Sequence, residues 1–123
     1  MPWGAQYNSV LKCVELNYIG QVSAKDLFDA FIVAGNLAQE NNTIKFLADC
    51  TLLTGGHTLA DVFTLISNYS AGGVHVRFRE AILLPKQEAA VQEVAFYETA
   101  CLNRGFDVKV FTNRAEAEAW LVK

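Results

Sequence analysis

Ser23-Ala24-Lys25-Asp26, Thr58-Leu59-Ala60-Asp61 and Asn113-Arg114-Ala115-Glu116 each place a side-chain acceptor three residues ahead of an acid. In that arrangement the leading side chain accepts from a free backbone amide of the first helical turn and the acid answers it, so each marks a helix start. A strand-like apolar run precedes every one of them: Cys13 to Ile19, Ile44 to Asp49 and Phe106 to Phe111. Strand, cap and helix in repeated succession leave few folds open. Strands separated by helix-length segments pair in parallel through right-handed crossovers, which is the α/β arrangement.

The intervening segments complete the order. A short strand near Ala5 to Asn8 pairs with the Cys13 run through a turn at Ser9, giving an antiparallel N-terminal hairpin. Helix one takes the apolar-rich run Leu27 to Ala38, and Asn41-Asn42 stops it. A turn-rich corner, Thr51 to His57, leads into helix two, whose Leu59, Val62, Phe63 and Ile66 fall along one face before it ends near Ser70. Val74, Val76 and Phe78 alternate with His75, Arg77 and Arg79, and then Ala81-Ile82-Leu83-Leu84 is uniformly apolar, as in an edge or bulge entering an interior strand. Pro85 closes it. A long helix from about Lys86 to Arg104 follows, with Gly105 where a left-handed cap favours glycine. At 123 residues the chain supports one hydrophobic core, so residues 1–123 are expected to form a single domain.

The C-terminal third holds the most specific pattern: Arg79-Glu80-Ala81-Ile82-Leu83-Leu84-Pro85, a helix ending Glu98-Thr99-Ala100-Cys101-Leu102-Asn103-Arg104-Gly105, then Val108-Lys109-Val110-Phe111 and Glu116-Ala117-Glu118-Ala119-Trp120-Leu121. It resembles the SpoIIAA-like family of small bacterial proteins, related in fold to STAS domains and compared with the lipid-binding Sec14 module. With the element order, the resemblance spans essentially the whole chain. It implies a mixed sheet of four to five strands with about four helices, and roles in regulation or association rather than chemistry. Some relatives are thought to bind lipids or to sit at membranes, which implies a lipid or other apolar ligand, or peripheral membrane contact. In anti-sigma-factor antagonists of the STAS type, a phosphorylated serine sits in an Asp-Ser-Ser-Gly-like corner after the third strand. The matching corner here runs from Asp49 to Thr58 and lacks the serine, so an antagonist-like interaction switch would have to use Thr51 or Thr54.

Chemistry-bearing residues are few. The net charge is −3 and the basic residues are scattered except at Arg77 and Arg79, which gives no stripe for nucleic acid. No run of about 18 apolar residues spans a bilayer, and Met1 to Tyr7 lacks the pattern of a secretory leader, so a cytoplasmic location is expected. Cys13, Cys50 and Cys101 form no CxxC pair or zinc spacing and are expected to be reduced and structural. Gly55-Gly56 lacks the lysine and spacing of a nucleotide loop, so no cofactor is implied.

Two candidate sites remain. Helix N-termini beyond parallel strands offer free donors, which makes Cys50, Thr51, Thr54, His57 and Thr58 a candidate ligand corner for a small anion. The plainer alternative is a helix cap at Thr58 and a tight turn at Gly55-Gly56. His75 is expected to point outward from a strand, leaving no histidine pair for a metal. Cys50 with His57 would be the minimum for a thiol enzyme, but a cysteine after a buried strand is usually packed, and a noncatalytic role is expected. On helix one, Leu27, Phe28, Phe31, Ile32, Val33 and Leu37 spread over more than one face. Phe28, Phe31, Ile32, Val62 and Phe63 are therefore the candidate apolar surface. A homodimer contact, a protein partner, an apolar ligand beneath helices one and two, or a generous core contact all fit it. Glu88, Glu93 and Glu98 are read as a solvated face of the long helix.

Overall fold

All three caps are in place in the computed structural model, which describes residues 1–71 and 77–123. Ser23 Oγ accepts from the Asp26 amide at 3.1 Å, and Asp26 accepts from the Ser23 amide at 3.0 Å. Thr58 and Asp61 repeat the exchange at 3.1 and 2.9 Å. Asn113 accepts from the Glu116 amide at 3.0 Å. These caps start α1 (Ala24–Glu40), α2 (Leu59–Ala71) and α4 (Arg114–Leu121); α3 is Glu88–Asn103, and the strands are β1 (Trp3–Asn8), β2 (Cys13–Gln21), β3 (Lys45–Gly55), β4 (Arg79–Leu83) and β5 (Asp107–Phe111). Gly105 has φ +85°, the left-handed turn that ends α3.

The five strands lie in sequence order, with β1 antiparallel to β2 and the other three pairings parallel. Right-handed crossovers between successive neighbours put α1, α2 and α3 on one face of the sheet. The terminal α4 packs on the opposite face, against β3 and β4. Side-chain alternation divides the core accordingly. Val14, Leu16, Ala48 and Ile82 face the three helices, while Cys13, Leu47, Ala81 and Leu83 meet Ala117 and Leu121 of α4. The mixed sheet, its hairpin and its four helices are those the sequence led us to expect.

Three details differ. The third strand does not stop at Asp49 but continues to Gly55, because β2 also runs on to Gln21 and keeps pairing with it. A register shift between Asn17–Asp49 and Ile19–Leu52 absorbs an extra residue in β3, where Asp49 Oδ1 accepts from the Thr51 amide at 3.0 Å. Most of the expected corner is therefore strand. Strand β4 begins only at Arg79, with Arg77 and Phe78 ahead of it; the alternation expected at Val74, His75 and Val76 lies outside the described residues.

The helices differ more. Helix α1 buries Leu27 and the small residues Ala30, Ala34 and Ala38, spaced four apart on one face, and leaves Phe28 and Ile32 44% and 45% exposed. Its wide apolar arc is thus an alanine stripe on the sheet beside a row of exposed large side chains. The face expected on α2 is also split: Val62 and Ile66 are buried, whereas Leu59 and Phe63 are exposed. Helix α2 packs on α3 and α1 more than on the sheet. Its C-terminal end is anchored by Tyr69, stacked on Phe31 at 4.9 Å between ring centres and edge-on to Phe78 at 5.7 Å.

Candidate functional site

Because α2 is carried by its neighbouring helices, a cavity of about 620 Å³ lies between the three helices and the sheet. The sheet supplies its floor through Leu16, Phe46, Ala48, Cys50, Glu80 and Ile82, and α1 and α2 its roof through Phe31, Val62, Leu65 and Tyr69. Most of this surface is hydrocarbon. Its exposed lining residues, Ile32, Gly35, Asn36, Gln39 and Ile44, belong to the second half of α1 and the approach to β3. The mouth therefore lies at the amino end of β3, opposite to the carboxyl ends of the strands where the sequence directed attention.

The carboxyl end is closed by hydrogen bonds. The Val22 amide donates to Gly55 O at 2.7 Å, and His57 Nδ1 donates to Val22 O at 2.7 Å. Gly56, at φ +101°, presses so close that a Cβ there would stand 2.5 Å from Val22 N. Only glycine fits. This clasp ties the β3–α2 connection to the β2–α1 connection and turns the His57 ring inward, its side chain 3% exposed. His57 Nε2 lies 2.8 Å from Glu93 Oε2 of α3, yet that buried oxygen has no partner aligned for a hydrogen bond.

Among the described residues Glu80 is the one buried charged residue of the core, 7% exposed on the floor of the cavity. Tyr69 OH lies 2.8 Å from Tyr97 OH, which donates to Glu80 Oε1 at 2.7 Å. Among the described residues Glu80 Oε2 has no protein partner. Burial pushes the Glu80 carboxyl up to about 7, against the pull of the Tyr97 bond. The two phenols are pushed up as well, chiefly by burial and then by the neighbouring Glu80.

The five corner residues do not converge on one point. Cys50 and His57 line the cavity. Thr51 donates to Asp49 Oδ1 at 2.6 Å, Thr54 accepts from Gln21 Nε2 at 3.1 Å, and Thr58 is occupied as the α2 cap. The expected anion corner is thus consumed by the strand extension, the cap and the glycine turn. Burial raises the Cys50 thiol far above its usual range, with Glu80 and Asp49 adding to the effect, so at neutral pH the sulfur is not a thiolate. Cys13 and Cys101 are likewise raised by burial, to about 11 and about 12. No group of three or more metal-ligating side chains occurs among the described residues.

Of the candidate apolar surface, Phe31, Ile32 and Val62 line the cavity, while Phe28 and Phe63 point away into solvent. The acidic face assigned to α3 holds only in part. Glu88 is exposed, but Glu98 accepts from the Val110 amide at 3.2 Å and Glu93 belongs to the cavity. Glu80, Tyr69 and Tyr97 were not singled out from the sequence, and Glu93 was assigned there to a solvated face. The one available signal was an acid in the otherwise apolar run 80–84, on the sheet face shared with Ile82.

No family model and no curated protein matches the chain. Among solved structures it is similar to an uncharacterized protein of the DUF3478 family from Shewanella loihica PV-4, described as having a SpoIIAA-like fold. The two share 20% sequence identity, with a TM-score of 0.63 over 97% of this chain and 91% of the other. At that identity the likeness concerns the fold, and the fold of this chain is SpoIIAA-like.

Proposed function

We propose that this protein is a noncatalytic binding module that holds a small apolar ligand beneath α1 and α2. The observation that carries the reading is the cavity. Its 620 Å³ lies within the range of small-molecule sites, and its lining is apolar with a few convergent polar groups. Apolar walls offer water few partners, so water inside the cavity is poorly held, and a hydrocarbon that displaces it removes apolar surface of both ligand and wall from water. Ile32 and Ile44, both exposed at the mouth, make an apolar entrance suited to a ligand arriving from a membrane or another protein.

The test is to extract the protein, purified without detergent, with organic solvent and identify what is released, beside an Ala48→Phe variant. Ala48 is 3% exposed on the cavity floor, so the larger ring fills space rather than overpacks it. We expect an apolar compound at near-equimolar yield from the parent, little from the variant, and a variant at least as stable. Equal yields from both, or none from the parent together with a destabilised variant, would contradict the reading.

A further inference from the structure

Among the described residues two carboxylate oxygens of the cavity, one on Glu80 and one on Glu93, lack a donor, whereas the phenols of Tyr69 and Tyr97 already have partners. Among the described residues neither lysine nor arginine lines it. His57 has Nδ1 committed to Val22 O and Nε2 set against Glu93. Glu80 Oε1 is satisfied by Tyr97, while Oε2 is not, and Glu93 Oε2 is buried with no aligned donor. A ligand with a carboxylate head would bring a third acid beside Glu80 and Glu93 with no lysine or arginine among the described lining residues to answer it, and burying an unpaired charge is costly. An ammonium head has the opposite balance, three donors and a positive charge.

Building on the ligand-binding reading, we propose that the cavity selects an apolar ligand bearing a protonated primary amine, whose N–H groups donate to the unpartnered oxygen of Glu80. The remaining titratable groups near Glu80 are Tyr18 of β2, Cys50 of β3, Tyr69 of α2 and Tyr97 and Cys101 of α3. Burial raises all five, so they stay neutral near pH 7. The lining residues of α1 include no titratable side chain. Besides Glu80 itself, the His57–Glu93 pair is left as a source of pH dependence, and variants separate the two.

Decylamine, decanol and decanoate present one chain with three head groups. Each is titrated calorimetrically into the full chain near pH 8 and near pH 5.5. We expect decylamine to bind about tenfold more tightly than decanol near pH 8, where Glu80 is ionised, and the advantage to shrink near pH 5.5. Glu80→Gln keeps the Tyr97 bond and should bind decanol as the parent does while losing the preference for the amine. Equal affinity for amine and alcohol, or tightest binding of decanoate, overturns the selectivity and leaves the ligand reading intact. Loss of the preference in Glu93→Gln but not in Glu80→Gln overturns the assignment to Glu80. Failure of all three compounds to bind overturns the ligand reading as well.

Discussion

Glu80 is held in a place that opposes its charge. In the unfolded chain its carboxyl ionises at about 4.5, in the folded chain at about 7, because burial outweighs the Tyr97 bond. Between those values the folded state keeps a proton that the unfolded chain has released. Stability from this group therefore falls as pH rises through that interval, and the loss is complete above about 7. The interval corresponds to about 3 kcal/mol. Glu80→Gln imitates the protonated acid, so urea unfolding should find the variant close to the parent near pH 4.5 and up to about 3 kcal/mol more stable near pH 8. An equal difference at both pH values would show that Glu80 does not titrate in this way. A leucine-like side chain in its place would leave the buried Tyr97 hydroxyl without its acceptor, so Tyr69, Tyr97 and Glu80 stand or fall as one hydrogen-bonded chain.

At the scale of elements, the capped helices were legible in the sequence because a cap is a local event, complete within four residues. Ser23, Thr58 and Asn113 all proved to be working caps. The extent of β3 was not legible, because Thr51 to Gly55 is strand only by virtue of pairing with a prolonged β2, a nonlocal condition. Which face of helix α1 meets the sheet was left open by the sequence, where the large side chains spread over more than one face; the sheet accepts the small stripe Ala30, Ala34 and Ala38, because close approach decides the face. Cys50 and His57 line the cavity because strand alternation and the clasp turn them toward it, whereas Thr51 and Thr54 stay outside its lining, a division that no local pattern marks. The clasp itself depends on one glycine. Gly56→Ala puts a Cβ into the Val22 backbone at a positive φ, and should cost about 2 kcal/mol or more in urea unfolding. A loss below about 0.5 kcal/mol would mean that the two connections are not locked together.

The whole molecule is a one-sided sandwich with unequal halves. On one face α4 seals a small dry core, with Arg79 stacked 4.1 Å over the Trp120 ring and Arg114 paired to Glu118 and Glu15. On the other, three helices cover a sheet of five strands, and α2 stands off it like a beam resting on supports at either end. Sequential strand order produces that asymmetry, since it sends every crossover helix to the same side. No helix among the described residues is long and apolar enough to cross a membrane. If the space under α2 takes a ligand, amide chemical shifts of the isotopically labelled protein, followed by NMR as decanol is added, should move saturably at one equivalent, concentrated at Gly35, Ala48, Val62 and Ile82 around the cavity, with Ala117 and Leu121 of α4 unmoved. Shifts that never saturate, or that gather at the exposed Phe28, Leu52 and Phe63 instead, would contradict the ligand reading.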